Sequence, residues 1–378
     1  MKRTVLTLTA IALAVLAGPI QPIDACTGFA LSGKEIRLMA VNYDWNVPGG
    51  RLIINPRPVE KTALVGPDVT PAYWVSKFGS VTLNQYGRDF PIGGMNEMGL
   101  AMQTLWLEET QWPEGVKGPG ISALQWIQYC LDNFLTVGQV AESATGFNIA
   151  SSAPLHFLAC DRSGACAVIE FLEGKAVIRA GDELPLPVLA NSTYKASIEA
   201  LDASLGYGGE VAPTEGEESL SRFVRAATQR NQLTLTGLDR AVEQAFGILG
   251  SVAISDENQW RVVYDLKSNI VYYTTRGNTQ VRRLDLDDVD LHCFDGGVRS
   301  VDLSGPGAGD VASKLTPFTT KDNTALVRSS ISQTEFLKSM PDQRVLELAQ
   351  YPDSLTCTVG PRRPTPTPRP GESLPVRE

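Results

Sequence analysis

The sequence predicts an α+β chain in which antiparallel sheets carry helices on their outer faces. Three observations carry this expectation. Short apolar strands broken by tight turns fill residues 27–55 and return at 156–178. Amphipathic helical patterns occupy 121–135 and then 196–249, and strands resume at 260–275. Strands, helices and strands again build layers that bury one face of each sheet and shield the other with helices.

The chain opens with Lys2 and Arg3 before an apolar run over 5–16, which Gly18 and Pro19 end. That run is too short to span a bilayer, so residues 1–25 read as a secretory leader, and the product as periplasmic or secreted with no membrane insertion. The full chain carries a net charge of −9. Acidic charge without a basic run and interleaved aromatics excludes a nucleic-acid binder. With 378 residues and 43% hydrophobic content, a sizeable core is available, and 26–360 reads as one domain. The last 18 residues hold six prolines and read as an extended, disordered tail over 361–378.

The next elements follow in order. Strands are expected at 27–31, 38–45 and 51–55. A turn at 32–36 makes the first two a hairpin, which places Cys26 opposite residue 42, or nearer 44 with a longer loop or a bulge. Strands at 80–85 and 99–107 precede a helix over 121–135, where Ile121, Leu124, Ile127, Leu131 and Phe134 share one face. A meander covers 156–160, 165–171 and 176–178, followed by a strand at 188–191. Helices at 196–201, 222–229 and 238–249 and strands at 260–266 and 270–275 complete the pattern. The stretch 297–322 reads as loop.

Six cysteines are present. Cys160 and Cys166 flank the turn Asp161-Arg162-Ser163-Gly164 between two strands and are best placed for a local bridge. The histidines are His156 and His292, without tight Cys/His spacing, so no metal and no organic cofactor is expected.

Chemistry concentrates at Cys26. If the leader is cut before it, the thiol and a free α-amine share one residue. The amine titrates at about 7.7–8.0 and the thiol at about 8.5, so the amine can take the thiol proton. Two plainer readings compete: a lipoprotein leader, although Asp24 stands where that signal wants a small residue, and an exported protein with a chance cysteine. Asp44 is the first carboxylate within reach through the hairpin. Taken singly, Asp44 reads as a strand-end residue, Asn191 as a turn residue and Arg222 as a solvated surface cation.

Cys26-Thr27-Gly28, Asn42-Tyr43-Asp44-Trp45, the Gly94 to Leu100 motif around Asn96, Ala190-Asn191-Ser192 and Ser221-Arg222-Phe223 occur in an order and spacing that resembles the choloylglycine hydrolase and penicillin V acylase family. The resemblance covers roughly 26–290. It implies a four-layer αββα N-terminal-nucleophile fold and hydrolysis of linear amides. Trp45, the run Trp74 to Val81 and Leu105-Trp106-Leu107 look most like the exported penicillin V acylases of Gram-negative bacteria, which also tend to cleave N-acyl-homoserine lactones. The alternatives are a bile salt hydrolase and an inactive lipidated envelope protein with the same fold.

The roles implied are Cys26 as nucleophile, Asp44 as partner of its amine, and Arg222 as the nearby cation, entering from a helix capped by Ser219 or Ser221. Asn191, with the backbone N–H of Trp106, would bind the oxyanion. Trp45 and Trp106 would wall an apolar acyl pocket. Asn96 marks the family but in its Gly-rich setting reads as shaping a turn, and His156 as a satisfied core histidine. The implied partner is a small amide substrate, and the resemblance also implies a homotetramer. One departure stands out: Val41 occupies a place where the family carries arginine, which removes a positive charge near the nucleophile.

Overall fold

The computed structural model describes residues 26–293 and 297–358. The expected leader and proline-rich tail lie outside the described residues. Among those described, a seven-stranded and a nine-stranded sheet dominate. The first runs in space as Val188–Leu189, Thr27–Ser32 (β1), Arg37–Asp44 (β2), Asn258–Asp265, Ile270–Thr275, Asn278–Asp285 and Gly309–Asp310. The second runs as Lys175–Ala180, Cys166–Leu172, Leu155–Cys160, Ala101–Trp106, Pro91–Asn96, Ser80–Asn84, Arg51–Asn55, Arg299–Asp302 and Thr316–Pro317. Neighbours are antiparallel throughout the second sheet, and in the first all but the last pair.

The sheets face each other across a core that includes Val41, Val262, Val81 and Leu158, all fully buried. Each such side chain contributes about 1.5–3 kcal/mol by leaving water. Close approach of the sheets depends on Gly28, where an added Cβ would stand 3.1 Å from Leu158 and 3.3 Å from Val41.

Helices cover the outer faces. Ala123–Asn133 (α1) and Val137–Ser143 (α2) pack on the nine-stranded sheet, burying Trp126, Ile127 and Leu131. Ser122 caps α1 by accepting from the Gln125 N–H. Tyr194–Asp202 (α3), Ser219–Asn231 (α4) and Leu238–Ser251 (α5) cover the other sheet. This is the helix–sheet–sheet–helix layering the sequence implied.

Two disulfides join Cys160 to Cys166, as the turn between them suggested, and Cys293 to Cys357. Cys26 and Cys130 remain as buried thiols. The stretch expected to be loop is instead built into the fold. Arg299–Asp302 pairs with Arg51–Asn55, and after Thr319 come two further helices, Thr320–Gln333 (α6) and Asp342–Gln350 (α7). Among the described residues no helix is long and apolar enough to cross a membrane.

Candidate active site

Three adjacent strands bring the expected residues together. Gly28 pairs with Leu189 on one side and with Val41 on the other. Continued to the strand end, these registers set Asn191 on one flank of Cys26 and Tyr43 on the other, with Asp44 one residue further. The hairpin pairing therefore falls between the two expected places, residue 42 and residue 44. Ser32 pairs with Arg37, leaving residues 33–36 as the loop, which the Gly33 N–H closes on the Ile36 carbonyl at 2.9 Å. Cys26 Sγ lies 4.0 Å from the Asp44 main-chain oxygen.

Arg222 ties the cluster together from α4. Its side chain is fully buried, and every donor group has an acceptor. Nη1 donates to the Cys26 carbonyl at 2.7 Å and to Thr27 Oγ1, Nη2 to Asn191 Oδ1 at 2.7 Å, and Nε to the Glu217 carbonyl at 2.8 Å. A planar fork satisfies several acceptors that a point charge on a flexible stem would not. Burial pulls the Arg222 pKa down, while Asp44 and Cys26 pull it back up. Neither serine expected to cap this helix does so. The N-cap is Glu218, and Ser219 Oγ instead accepts the Asn191 N–H at 2.8 Å, which fixes the strand end carrying Asn191.

Asp44 is fully buried. Desolvation pushes its pKa up to about 7, against the Asn258 amide, Arg222, the Ile254 backbone and Arg261. Asn258 Nδ2 donates to Asp44 Oδ1 at 2.7 Å, while Oδ2 is buried without a hydrogen-bond partner. Asn191 Nδ2 donates to the Trp106 carbonyl at 2.7 Å and keeps a second N–H. The Leu107 N–H bonds the Pro154 carbonyl, so strand alternation turns the Trp106 N–H the opposite way, toward the side of Asn191.

Of these groups, Cys26 contributes to the wall of a cavity of about 470 Å³ that Tyr43, Trp45, Trp106 and Leu155 also line. Trp45 and Trp106 sit together, ring centroids 5.7 Å apart. The Trp45 indole N–H donates to the Tyr86 hydroxyl at 2.9 Å.

Two residues fall elsewhere. Asn96 is buried away from the cavity, where its side chain donates to the Leu131 and Phe134 carbonyls and accepts from the Met98 and Leu100 N–H groups. It pins the turn after its strand to the end of α1. His156 is a core residue whose Nε2 meets the Ala190 carbonyl at 2.8 Å. Val41 lies in the core between the sheets, so the cation at the nucleophile end is Arg222.

The sequence-derived set lacked Thr27 as an acceptor for Arg222, Asn258 as the donor to Asp44, and Ser219 as the acceptor for Asn191. Thr27 stands inside the Cys-Thr-Gly motif, which was a signal. Asn258 and Ser219 carry none, because they reach the site through long-range pairing.

Residues 26–299 match the family of linear amide C–N hydrolases, choloylglycine hydrolase family. The chain belongs to this family. It is an amidohydrolase acting on linear amide C–N bonds. A penicillin V acylase from Pectobacterium atrosepticum is 27% identical over 335 residues, covering 76% of this chain and 88% of that one. The structure of penicillin V acylase from Agrobacterium tumefaciens is 28% identical with a TM-score of 0.69, covering 78% of this chain and 98% of that one. A conjugated bile acid hydrolase variant from Clostridium perfringens shares the fold at 22% identity and a TM-score of 0.59, covering 73% of this chain and 96% of that one. For this family member, the match ends before α6 and α7.

Proposed function

We propose that this family member hydrolyses an amide between an apolar acyl group and a polar amine, with Cys26 as an N-terminal nucleophile exposed by removal of residues 1–25. One observation carries the reading. Arg222 and Asp44 contact Cys26 and are themselves held by Asn191 and Asn258, so polar groups from four separate segments gather around Cys26, which lines an apolar cavity of acyl size. The orphaned Asp44 Oδ2 supports the same reading, since an α-ammonium on Cys26 would supply its missing donor.

In this mechanism the α-amine takes the thiol proton and Asp44 holds the resulting ammonium. The thiolate adds to the substrate carbonyl. The negative oxygen of the tetrahedral intermediate accepts from the second Asn191 amide N–H and the Trp106 backbone N–H, each worth about 3 kcal/mol. Collapse breaks the C–N bond, the ammonium proton passes to the leaving amine, and a thioester remains. Water then adds with the amine as base, releasing the acid and restoring the thiol. Arg222 holds the Cys26 backbone and Asn191 in register. Trp45 and Trp106 favour phenoxyacetyl or fatty acyl groups, as in phenoxymethyl-penicillin or N-acyl-homoserine lactones. The export and tetramer expectations join this proposal.

The test is the intact mass of the purified mature protein, alone and after mixing with phenoxymethyl-penicillin. A chain beginning at unmodified Cys26 that gains one phenoxyacetyl adduct supports the reading, and Cys26→Ala should show neither adduct nor turnover. A diacylglyceryl adduct, or turnover that survives in Cys26→Ala, would refute it. Faster turnover of conjugated bile salts would move the substrate class and leave the mechanism standing.

A further inference from the structure

The helices α6 and α7 lie past the family match and carry no motif. Their hairpin still forms from local rules. Thr319 caps α6, with Thr319 and Asp322 exchanging side-chain and backbone hydrogen bonds. Val327, Ile331, Val345 and Ala349 bury against one another between the helices. A 3₁₀ turn over Glu335–Leu337 begins the connection.

The inner face of this hairpin is a wall of the Cys26 cavity, supplying Ile331, Phe336, Leu337, Met340 and Leu348. The Phe336 ring stands 5.7 Å from that of Trp106. Polar links fix the wall to the acyl-pocket aromatics. The Tyr86 hydroxyl that receives the Trp45 indole N–H also hydrogen-bonds Thr334 Oγ1 at 2.8 Å, and Ser330 Oγ donates to the Gln85 carbonyl at 2.7 Å. Gln85 in turn accepts from the Tyr43 hydroxyl at 2.6 Å. Gly87 permits the contact, for at φ +108° its missing Cβ would stand 2.8 Å from Val327. Beyond α7, the Cys293–Cys357 disulfide ties the chain back to the body across 64 residues.

We propose that the hairpin selects substrates by acyl length, its apolar inner face setting how much chain the cavity accepts and the Cys293–Cys357 bond holding that face in place. This rests on the amide-hydrolase reading above. The hairpin supplies no group to the cluster around Cys26, so it acts on which acyl chain fits and not on the bond cleaved.

The test uses the full mature enzyme and straight-chain N-acyl-homoserine lactones from butanoyl to dodecanoyl, with kcat/KM plotted against chain length. Removing a methylene-sized contact in an apolar pocket changes selectivity by about tenfold or more. Phe336→Ala should raise the dodecanoyl-to-hexanoyl ratio by about that factor, and Leu337→Trp should lower it. Replacing both cysteines (Cys293→Ser with Cys357→Ser) should flatten the profile. Met340→Trp stands in for any variant that does not fold. The same series is read as calorimetric affinity in a Cys26→Ala background. A length profile in affinity without turnover would overturn the chemistry and uphold the hairpin. Profiles unmoved by Phe336→Ala and Leu337→Trp in both readouts would overturn the hairpin.

Discussion

Among the described residues, the buried clusters around Lys61 and around Arg222 differ in charge balance and in whether they border the Cys26 cavity. Beneath α1, Lys61 Nζ stands 2.5 Å from Asp89 Oδ1 and 2.8 Å from Asp132 Oδ2, all three side chains fully buried. Trp74 and Gln128 donate to the two Asp132 oxygens, and Arg88 lies 3.3 Å from Asp89 Oδ2. Burial alone would lower the Lys61 pKa, but the two carboxylates outweigh it and hold it above the ordinary value. At the Cys26 end each Arg222 nitrogen donates a hydrogen bond, yet Asp44 keeps one oxygen without a donor. The first cluster is balanced in charge, with Asp89 Oδ2 facing the Arg88 guanidinium although no hydrogen bond reaches it; the second leaves Asp44 Oδ2 without a hydrogen-bond donor close to Cys26, which lines a cavity. A charge-balanced cluster sealed from that cavity favours one structure, whereas an oxygen left without a donor near it makes room for a reacting group.

Breaking each cluster should therefore give different losses. Arg222→Lys keeps the charge but abandons the fork, so Asn191 and the Cys26 carbonyl lose their fixed positions. The expected fall in kcat/KM on phenoxymethyl-penicillin is about a hundredfold to a thousandfold, and a fall below tenfold would reduce Arg222 to a structural clamp. Lys61→Met strands two buried carboxylates and should cost about 3–5 kcal/mol in denaturant unfolding, with kcat per folded molecule retained. Lost turnover at unchanged stability would instead show that this cluster feeds the site.

The contrast also explains what was legible in the sequence. The strand pattern and hairpin announced the sheets, because alternation and turn residues act locally. Cys26, Asp44, Asn191 and Arg222 were found because each sits in a short motif resembling a family pattern. The Lys61 cluster was invisible: Lys61, Asp89 and Asp132 are ordinary charged residues until long-range packing buries them together. The same holds for Asn258, whose role depends on pairing with a strand more than 200 positions away. The cavity wall from α6 and α7 had no functional reading in the sequence, since apolar spacing signals burial and says nothing of what is buried against it.

The smallest expected effect tests the donorless Asp44 oxygen itself. In a chain that keeps residues upstream of Cys26, its nitrogen is a neutral amide and cannot serve Asp44. The Asp44 pKa is then raised to about 7 in the folded state, above its unfolded value of about 3.9. A group raised in this way contributes stability that is full below about pH 4 and is lost as pH rises through 7. The uncleaved chain should thus lose stability from pH 5 to pH 8, by on the order of 2 kcal/mol after water entry and relaxation discount the full linkage. Asp44→Asn removes the titration while keeping an acceptor for Asn258, so its uncleaved chain should lack that part of the slope. The mature wild type should also lack it, because the new ammonium favours the charged carboxylate. Urea midpoints at the two pH values, compared across the three proteins, decide the matter. Equal slopes in all three would mean that Asp44 already has its partner and that its oxygen awaits no amine.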